Sequence, residues 1–261
     1  ALYSYFYPSM ISESNAKVIR SLHHKKYREL HNKFIIEGEK SIMDMLAHEY
    51  TSAIAIYCSP ACYKRHQAIL DKFNPIVHLE DEKSLSKISG LDSTPEMIMV
   101  CELPRKHSID PNLFKSGLHL YLDHIQDPGN MGTILRTAEW FGVKSVGLSN
   151  GCTDIYSPKV IQSSMGSFSR LTIWKGNLDS IGEMNQIHVY GADLRGQNMY
   201  HIHFNAFGIL VIGSEGKGMS DEVKAQVHQL IKIPAYSDKI DSLNAATATA
   251  IILSEWCRQL S

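Results

Sequence analysis

Leu118-His-Leu-Tyr-Leu122-Asp-His-Ile-Gln-Asp-Pro-Gly-Asn130-Met-Gly-Thr-Ile-Leu-Arg136-Thr-Ala-Glu-Trp-Phe-Gly142 is the stretch whose reading decides the fold class. Leu118–Leu122 is nearly all apolar, which suits a strand buried on both faces. Asp127-Pro128-Gly129 is turn chemistry. Met131, Ile134, Leu135 and Ala138 then recur at helical spacing, so a helix is predicted over Met131–Phe141 and ended by Gly142. Asn130 stands where a helix N-cap is expected. Arg136 falls off the apolar stripe.

The same alternation continues outward. Strands are predicted at Ser145–Leu148, His188–Tyr190, Phe207–Ile212 and Leu230–Ile233, and a closing helix at Asn244–Gln259. Near-continuous apolar strands alternating with helices imply an α/β fold with a mostly parallel sheet covered on both faces. Upstream, Glu102–Asn112 carries Pro104, Pro111 and Arg105-Lys106-His107, and reads as a linker. Before it lies a smaller α/β pattern. Helices are predicted at Glu37–His48, from Pro60 to Phe73 and near Asp81–Ile88, with strands at Ser52–Tyr57, Ile76–Leu79 and Met97–Cys101. The expected organisation is therefore 10–102, a linker 103–112, and 113–261.

Composition narrows the class. With 26 Lys+Arg against 27 Asp+Glu the net charge is −1, and 44% of the 261 residues are hydrophobic. These values exclude a disordered chain and a supercharged basic tail. The longest apolar run, Ala206–Ile212, is far short of the roughly 20 residues of a membrane span. The first residues lack the basic start of a secretory signal, and Met10 is taken as the natural start. Five scattered cysteines without that signal fit free thiols in a reducing cytosol. Residues 14–33 are basic: Lys17, Arg20, Lys25, Lys26, Arg28 and Lys33 face Glu29, with Tyr27 among them. This is either a solvated helix face or a footprint for RNA phosphates with an aromatic ring for base stacking.

Ligands of open parallel sheets sit beyond the carboxyl ends of the strands, and three loops here are unusual. The first is Asp123–Arg136. The second, Ile212-Gly213-Ser214-Glu215-Gly216-Lys217-Gly218-Met219-Ser220, has glycines in the order G-x-x-G-x-G. That is neither the dinucleotide fingerprint nor a P-loop, which weakens NAD and ATP readings. Ser220 is expected to cap the next helix. The third runs from Ile233-Pro234 to Ser242-Leu243-Asn244 and enters an alanine-rich helix that allows close packing. Ser242 and Asn244 are both good caps, so each also has a purely structural explanation.

Together, Asn130-x-Gly-x-x-x-Arg136, Gly213-Ser-Glu-Gly-x-Gly218, and Ile233-Pro234 with Ser242-Leu243-Asn244 resemble the three motifs of the TrmH-type SPOUT RNA ribose 2′-O-methyltransferases. Ser157-Pro-Lys159 and Ser164-Met-Gly166 fit as well, and the resemblance covers about residues 113–261. Lys25-Lys26-Tyr27-Arg28 with Phe34-Ile-Ile-Glu37-Gly38 resembles that family's ribosomal-protein-L30e-like substrate-binding domain. The loop Ala235–Asp241 is slightly long, and Ala245-Ala246-Thr247 replaces a Val-Ser-rich sequence.

The resemblance implies a C-terminal trefoil knot, a homodimer formed through that domain, and S-adenosylmethionine bound among the three loops. Gly213, Ser214, Gly218, Ile233 and Leu243 would meet the cofactor, largely through backbone groups. Asn130, Arg136, Glu215, Ser242 and Asn244 would form the catalytic site. Arg136 would stand beside the ribose hydroxyl, either as a base or as a cation that holds a phosphate and favours the alkoxide; it can also pair with Glu215. Arg20, Lys25, Lys26, Arg28 and Lys33 would grip RNA, ribosomal RNA being favoured over tRNA. The competing readings are a tRNA methyltransferase, a non-catalytic RNA-binding or ribosome-assembly factor that kept the fold, and an unrelated nucleotide-binding oxidoreductase. Cys58-x₃-Cys62-x₃-His66 and His201-Ile-His203 match no common zinc spacing, so no metal is expected.

Overall fold

The structure, a computed structural model, describes residues 11–48, 52–104, 109–181 and 187–261. Met10 and the linker residues 105–108 lie outside them. The chain divides into two compact units, one drawn from residues up to 106 together with Tyr156–Gln162, the other from 107–155 and 163–261.

The first unit runs α1 (Glu13–Ser21), α2 (Lys25–His31), β1 (Lys33–Glu37), α3 (Glu39–Ala47), β2 (Ala53–Cys58), α4 (Pro60–Leu70), β3 (Val77–Leu79), α5 (Glu82–Ile88) and β4 (Met97–Glu102). Its sheet has the order β1-β4-β2-β3. β4 is antiparallel to β1 and β2, and β2 is parallel to β3. Local chemistry sets the helix starts. Ser59 accepts from the Cys62 amide ahead of Pro60, and Asp81 accepts from the Ser84 amide. The helix expected from Glu37 starts instead at Glu39. Phe34, Ile35 and Ile36 are fully buried in a strand that ends at Gly38, whose φ of +105° favours glycine. Leu22, Ile35, Ile88 and Ile98 belong to the core of this unit.

The second unit runs β5 (Leu118–Leu122), α6 (Pro128–Trp140), β6 (Ser145–Leu148), α7 (Pro158–Ser164, its first part grouped with the other unit), β7 (Thr172–Lys175), β8 (His188–Asn198), β9 (Gly208–Ile212), α8 (Asp221–Lys224), β10 (Gln229–Lys232) and α9 (Ala245–Leu260). Among the described residues its strands form a six-stranded sheet, β10-β8-β9-β5-β6-β7, in which every neighbouring pair is parallel. β5, β6 and β9 are buried at every position, as their apolar runs require. α6 packs against α9.

Two strands depart from the sequence reading. β7 buries only Trp174 well and carries no strong pattern. β8 extends past Tyr190 to Asn198. Leu230 lies opposite Gly191 but Ile231 lies opposite Gln197, so residues 192–196 form an excursion from the ladder. Gly196 closes it, because a Cβ there would stand 2.4 Å from the Ile231 nitrogen. Among the described residues no helix is long and apolar enough to cross a membrane.

Candidate active site

The site sits at the carboxyl ends of β5 and β9. Asp127, rather than Asn130, caps α6, its Oδ1 accepting from the Asn130 backbone N–H at 2.7 Å. Pro128 occupies the first turn, where a missing N–H costs nothing. The consequence is chemical, since the Asn130 side chain is released from capping. Gly132 lets this helix approach its neighbour, as a Cβ there would meet the Ser164 nitrogen at 2.8 Å.

The glycine loop folds back on itself. Ser214 and Gly218 exchange backbone hydrogen bonds of 3.1 and 2.8 Å. A Cβ on Gly213 would stand 2.2 Å from the Gly218 carbonyl carbon, and Gly218 has φ +68°. A Cβ on Gly216 would meet nothing within 4 Å, so the protein itself does not require glycine there. The Ser214 hydroxyl is turned into the loop, accepting from the Lys217 amide and facing the Gly218 carbonyl.

Glu215 leaves this loop and reaches the other two. Its Oε1 accepts from Asn130 Nδ2 at 2.8 Å, Asn244 Nδ2 at 2.6 Å and the Ala245 backbone N–H at 3.1 Å. Asn244 Nδ2 also lies 2.8 Å from Asn130 Oδ1. Asn244 Oδ1 meanwhile caps α9 by accepting from Ala246 and Thr247. Both explanations of Asn244 therefore hold together: one end of the amide caps and the other builds the site. A carboxylate at a helix N-terminus that takes three donors is in favourable surroundings.

Asp123, fully buried at the end of β5, locks the glycine loop from beneath. Its Oδ2 accepts from the Ser220 backbone N–H at 2.7 Å, and His124 Nδ1 donates to Oδ1 at 2.7 Å. Burial alone would raise this carboxyl; the hydrogen bonds from Ser220, His124 and Ser149 outweigh it and hold the group below the ordinary carboxylate range. Ser220 has the backbone of a cap but its side chain makes no capping bond.

A cavity of about 650 Å³ opens beside the Glu215 loop. Gly213, Ser214, Gly218, Ile233, Ser242 and Leu243 line it, as do the apolar Ile231 and Ile252. The excursion of β8 lines it too, through Leu194 and the ion pair Asp193–Arg195 at 2.9 Å. Sequence reading missed that wall because polar and glycine residues end the apolar pattern at Tyr190. Arg136 is exposed on α6 and makes no hydrogen bond or ion pair among the described residues. It is therefore not paired with Glu215, and the polar residues fix one another rather than Arg136.

In the first unit the basic stretch is two helices. Arg20, Lys25 and Lys26 are exposed and Lys33 is half-buried. Lys26 lies 5.9 Å from the Tyr27 ring centre. Arg28 departs from the expected footprint: it is 3% exposed and donates to the Leu22 carbonyl at 2.8 Å, so it holds the turn between α1 and α2.

Residues 117–254, more than half of the chain, match the SpoU rRNA Methylase family. The chain belongs to that family. Residues 14–99 of this SpoU methylase match an MRM3-like substrate binding domain. The methylase is 28% identical over 258 residues to the 23S rRNA (guanosine(2553)-2′-O)-methyltransferase of Bacillus subtilis, covering 93% of this chain and 96% of that one. It superposes on a TrmH-family RNA methyltransferase structure from Porphyromonas gingivalis with TM-score 0.84 and 36% identity, over 96% and 100% of the two chains. An AdoMet-bound rRNA methyltransferase from Sinorhizobium meliloti gives TM-score 0.81 at 28% identity, over 96% and 97%.

Proposed function

We propose that this SpoU methylase transfers a methyl group from S-adenosylmethionine to a ribose 2′-hydroxyl in structured RNA, with ribosomal RNA favoured over tRNA. The observation that carries the reading is the junction of Asn130, Glu215 and Asn244 beside a ligand-sized cavity. The names of the Bacillus subtilis and Sinorhizobium meliloti relatives support it.

The residues present fit the cofactor. The cavity lies within the range of about 300–1,000 Å³ for small-molecule sites. Its apolar walls suit an adenine ring, and the open space over Gly216 leaves room for close approach. Gly213, Ser214, Gly218, Ile233 and Leu243 would hold the cofactor, Ser214 and Gly218 by fixing the shape of the loop through the hydrogen bonds they exchange. Bound there, S-adenosylmethionine supplies an electrophilic methyl carbon. The protein supplies orientation and electrostatics.

Arg136 takes the role of the exposed cation. A guanidinium stays protonated, so it acts by holding a phosphate and favouring the developing alkoxide rather than as a base. Asn130, Glu215 and Asn244 keep the loops in register, and the Ser242 hydroxyl, without a partner among the described residues, is available to substrate. Arg20, Lys25, Lys26 and Lys33 would contact RNA phosphates from a substrate-binding domain at 10–102, joined by the linker 103–112 to the methyltransferase domain at 113–261.

The C-terminal domain would carry a trefoil knot and pair with a second copy. Trp140, 84% exposed at the end of α6, supports that pairing; Trp174 and Trp256 are core residues. Free cysteines at all five positions fit a cytosolic setting.

The test supplies labelled cofactor and unmodified cellular RNA and maps alkali-resistant linkages. One labelled ribosomal position, lost on 2′-deoxy substitution there, is expected. Label on a base, or label that survives 2′-deoxy substitution, would overturn the reading.

A further inference from the structure

Cys58-x₃-Cys62-x₃-His66 lacks a complete ligand set in sequence, but the fold of the first unit brings up another donor. Cys62 and His66 lie one turn apart on α4, and Glu39 faces them from the first turn of α3. A Glu39 carboxylate oxygen, Cys62 Sγ and a His66 ring nitrogen all lie within 4.8 Å of one another. The geometry points to a site for a zinc-class divalent cation held by Glu39, Cys62 and His66.

Thiolate, imidazole and carboxylate are the donors such borderline-soft ions take. Around a tetrahedral zinc they stand about 3.3–3.6 Å apart, given bond lengths near 2.0–2.3 Å. Small side-chain rotations reach that arrangement from the one observed. His66 Nε2 now lies 2.5 Å from Glu39 Oε1, and the ion replaces this contact. Helical geometry within α4 fails at His66, with φ −118° and ψ 17°, at the residue that turns its ring to Glu39.

The surroundings match a site open on one side. Cys62 is fully buried, while the side chains of His66 and Glu39 keep 26% and 33% of their exposure. Water therefore reaches the fourth position. Glu39 Oε2 is held by Arg65 at 2.7 Å, which leaves Oε1 for the ion and orients the carboxylate in the manner of an outer-shell partner. One thiolate and one carboxylate balance the dication. Binding releases the Cys62 thiol proton to solvent, and the ion clamps α3 to α4. None of these residues belongs to the methyl-transfer site, so this inference stands or falls independently of it.

The full chain, freed of metal by a chelator, is titrated with cobalt(II) and with zinc. One equivalent of cobalt producing a sulfur-to-cobalt charge-transfer band, and zinc raising the thermal midpoint, are expected. Cys62→Ser should abolish the band. His66→Gln, which keeps a polar side chain of similar size facing Glu39, should weaken zinc binding roughly tenfold or more. Arg65→Ala should weaken it as well, because the Glu39 carboxylate loses the partner that orients it. Absence of the band in the wild type, its survival in Cys62→Ser, or unchanged zinc affinity in His66→Gln would overturn the site.

Discussion

Glu215 shows how much one oxygen atom does. Its Oε1 holds donors from loops 85 and 29 residues away in sequence. Glu215→Ala removes the acceptor of all three bonds. Methyl transfer measured as kcat/KM should fall roughly tenfold to a hundredfold, in line with the 1.5–3 kcal/mol of a hydrogen bond to a charged group; an unchanged rate would contradict the arrangement. The glycines separate fold from ligand. Gly213→Ala cannot fit against the Gly218 backbone, so it should lower both the thermal midpoint and cofactor affinity. Gly216→Ala meets open space and should leave the thermal midpoint unchanged while weakening cofactor binding by calorimetry. Equal effects of the two substitutions would show that neither reports a ligand contact. The motif glycines stood out in the sequence, but their separate jobs did not, because spacing reports no φ and no neighbours.

At the scale of elements, the end of β5 governs the glycine loop through Asp123 and Ser220. Asp123→Ala leaves the Ser220 amide without its acceptor in a buried place. It should cost roughly 1–3 kcal/mol by urea denaturation, with cofactor affinity falling as the loop loosens; a stability change below this range would show that Ser220 finds another partner. Elements buried on both faces, β5, β6 and β9, were legible because their apolar runs are uninterrupted. β7 was not, since an edge strand that buries one large side chain leaves little pattern. The α6 cap was misassigned to Asn130 because Asp127 and Asn130 are both good caps three residues apart. Pro128 was the available signal, since proline favours the first helical position and so points to the residue before it. The β8 excursion was hidden because its register depends on the Gly196 approach to β10, a contact between distant segments.

Across the whole molecule two histidines, one in each unit, should make contributions with opposite pH dependence. His119 is buried in β5, accepting from Ser145 and donating to Ser116, and burial pushes its pKa from 6.5 down to about 4. The neutral ring is therefore the folded form. Its contribution is complete above pH 6.5 and is lost as pH falls through about 4, worth roughly 3 kcal/mol in all. In the first unit the hydrogen bond to Glu37 raises the His23 pKa above 6.5. That contribution is complete below 6.5 and lost as pH rises through the raised value. Amide exchange should show β5 loosening at acid pH, a trend that His119→Gln flattens, and the end of α1 loosening at alkaline pH; an acid trend in β5 untouched by His119→Gln, or no alkaline loosening of α1, would contradict the assignment. The convergence of three loops was legible only through family resemblance, since no periodicity relates Asn130 to Asn244 across 114 residues. We propose that Arg136 acts on the RNA while the cavity lined by Gly213, Ile233 and Leu243 holds the cofactor. This is tested most directly by measuring S-adenosylmethionine affinity and methyl transfer for Arg136→Ala beside the wild type. The account predicts unchanged affinity with transfer abolished; an active Arg136→Ala enzyme, or one that has lost the cofactor, would contradict it.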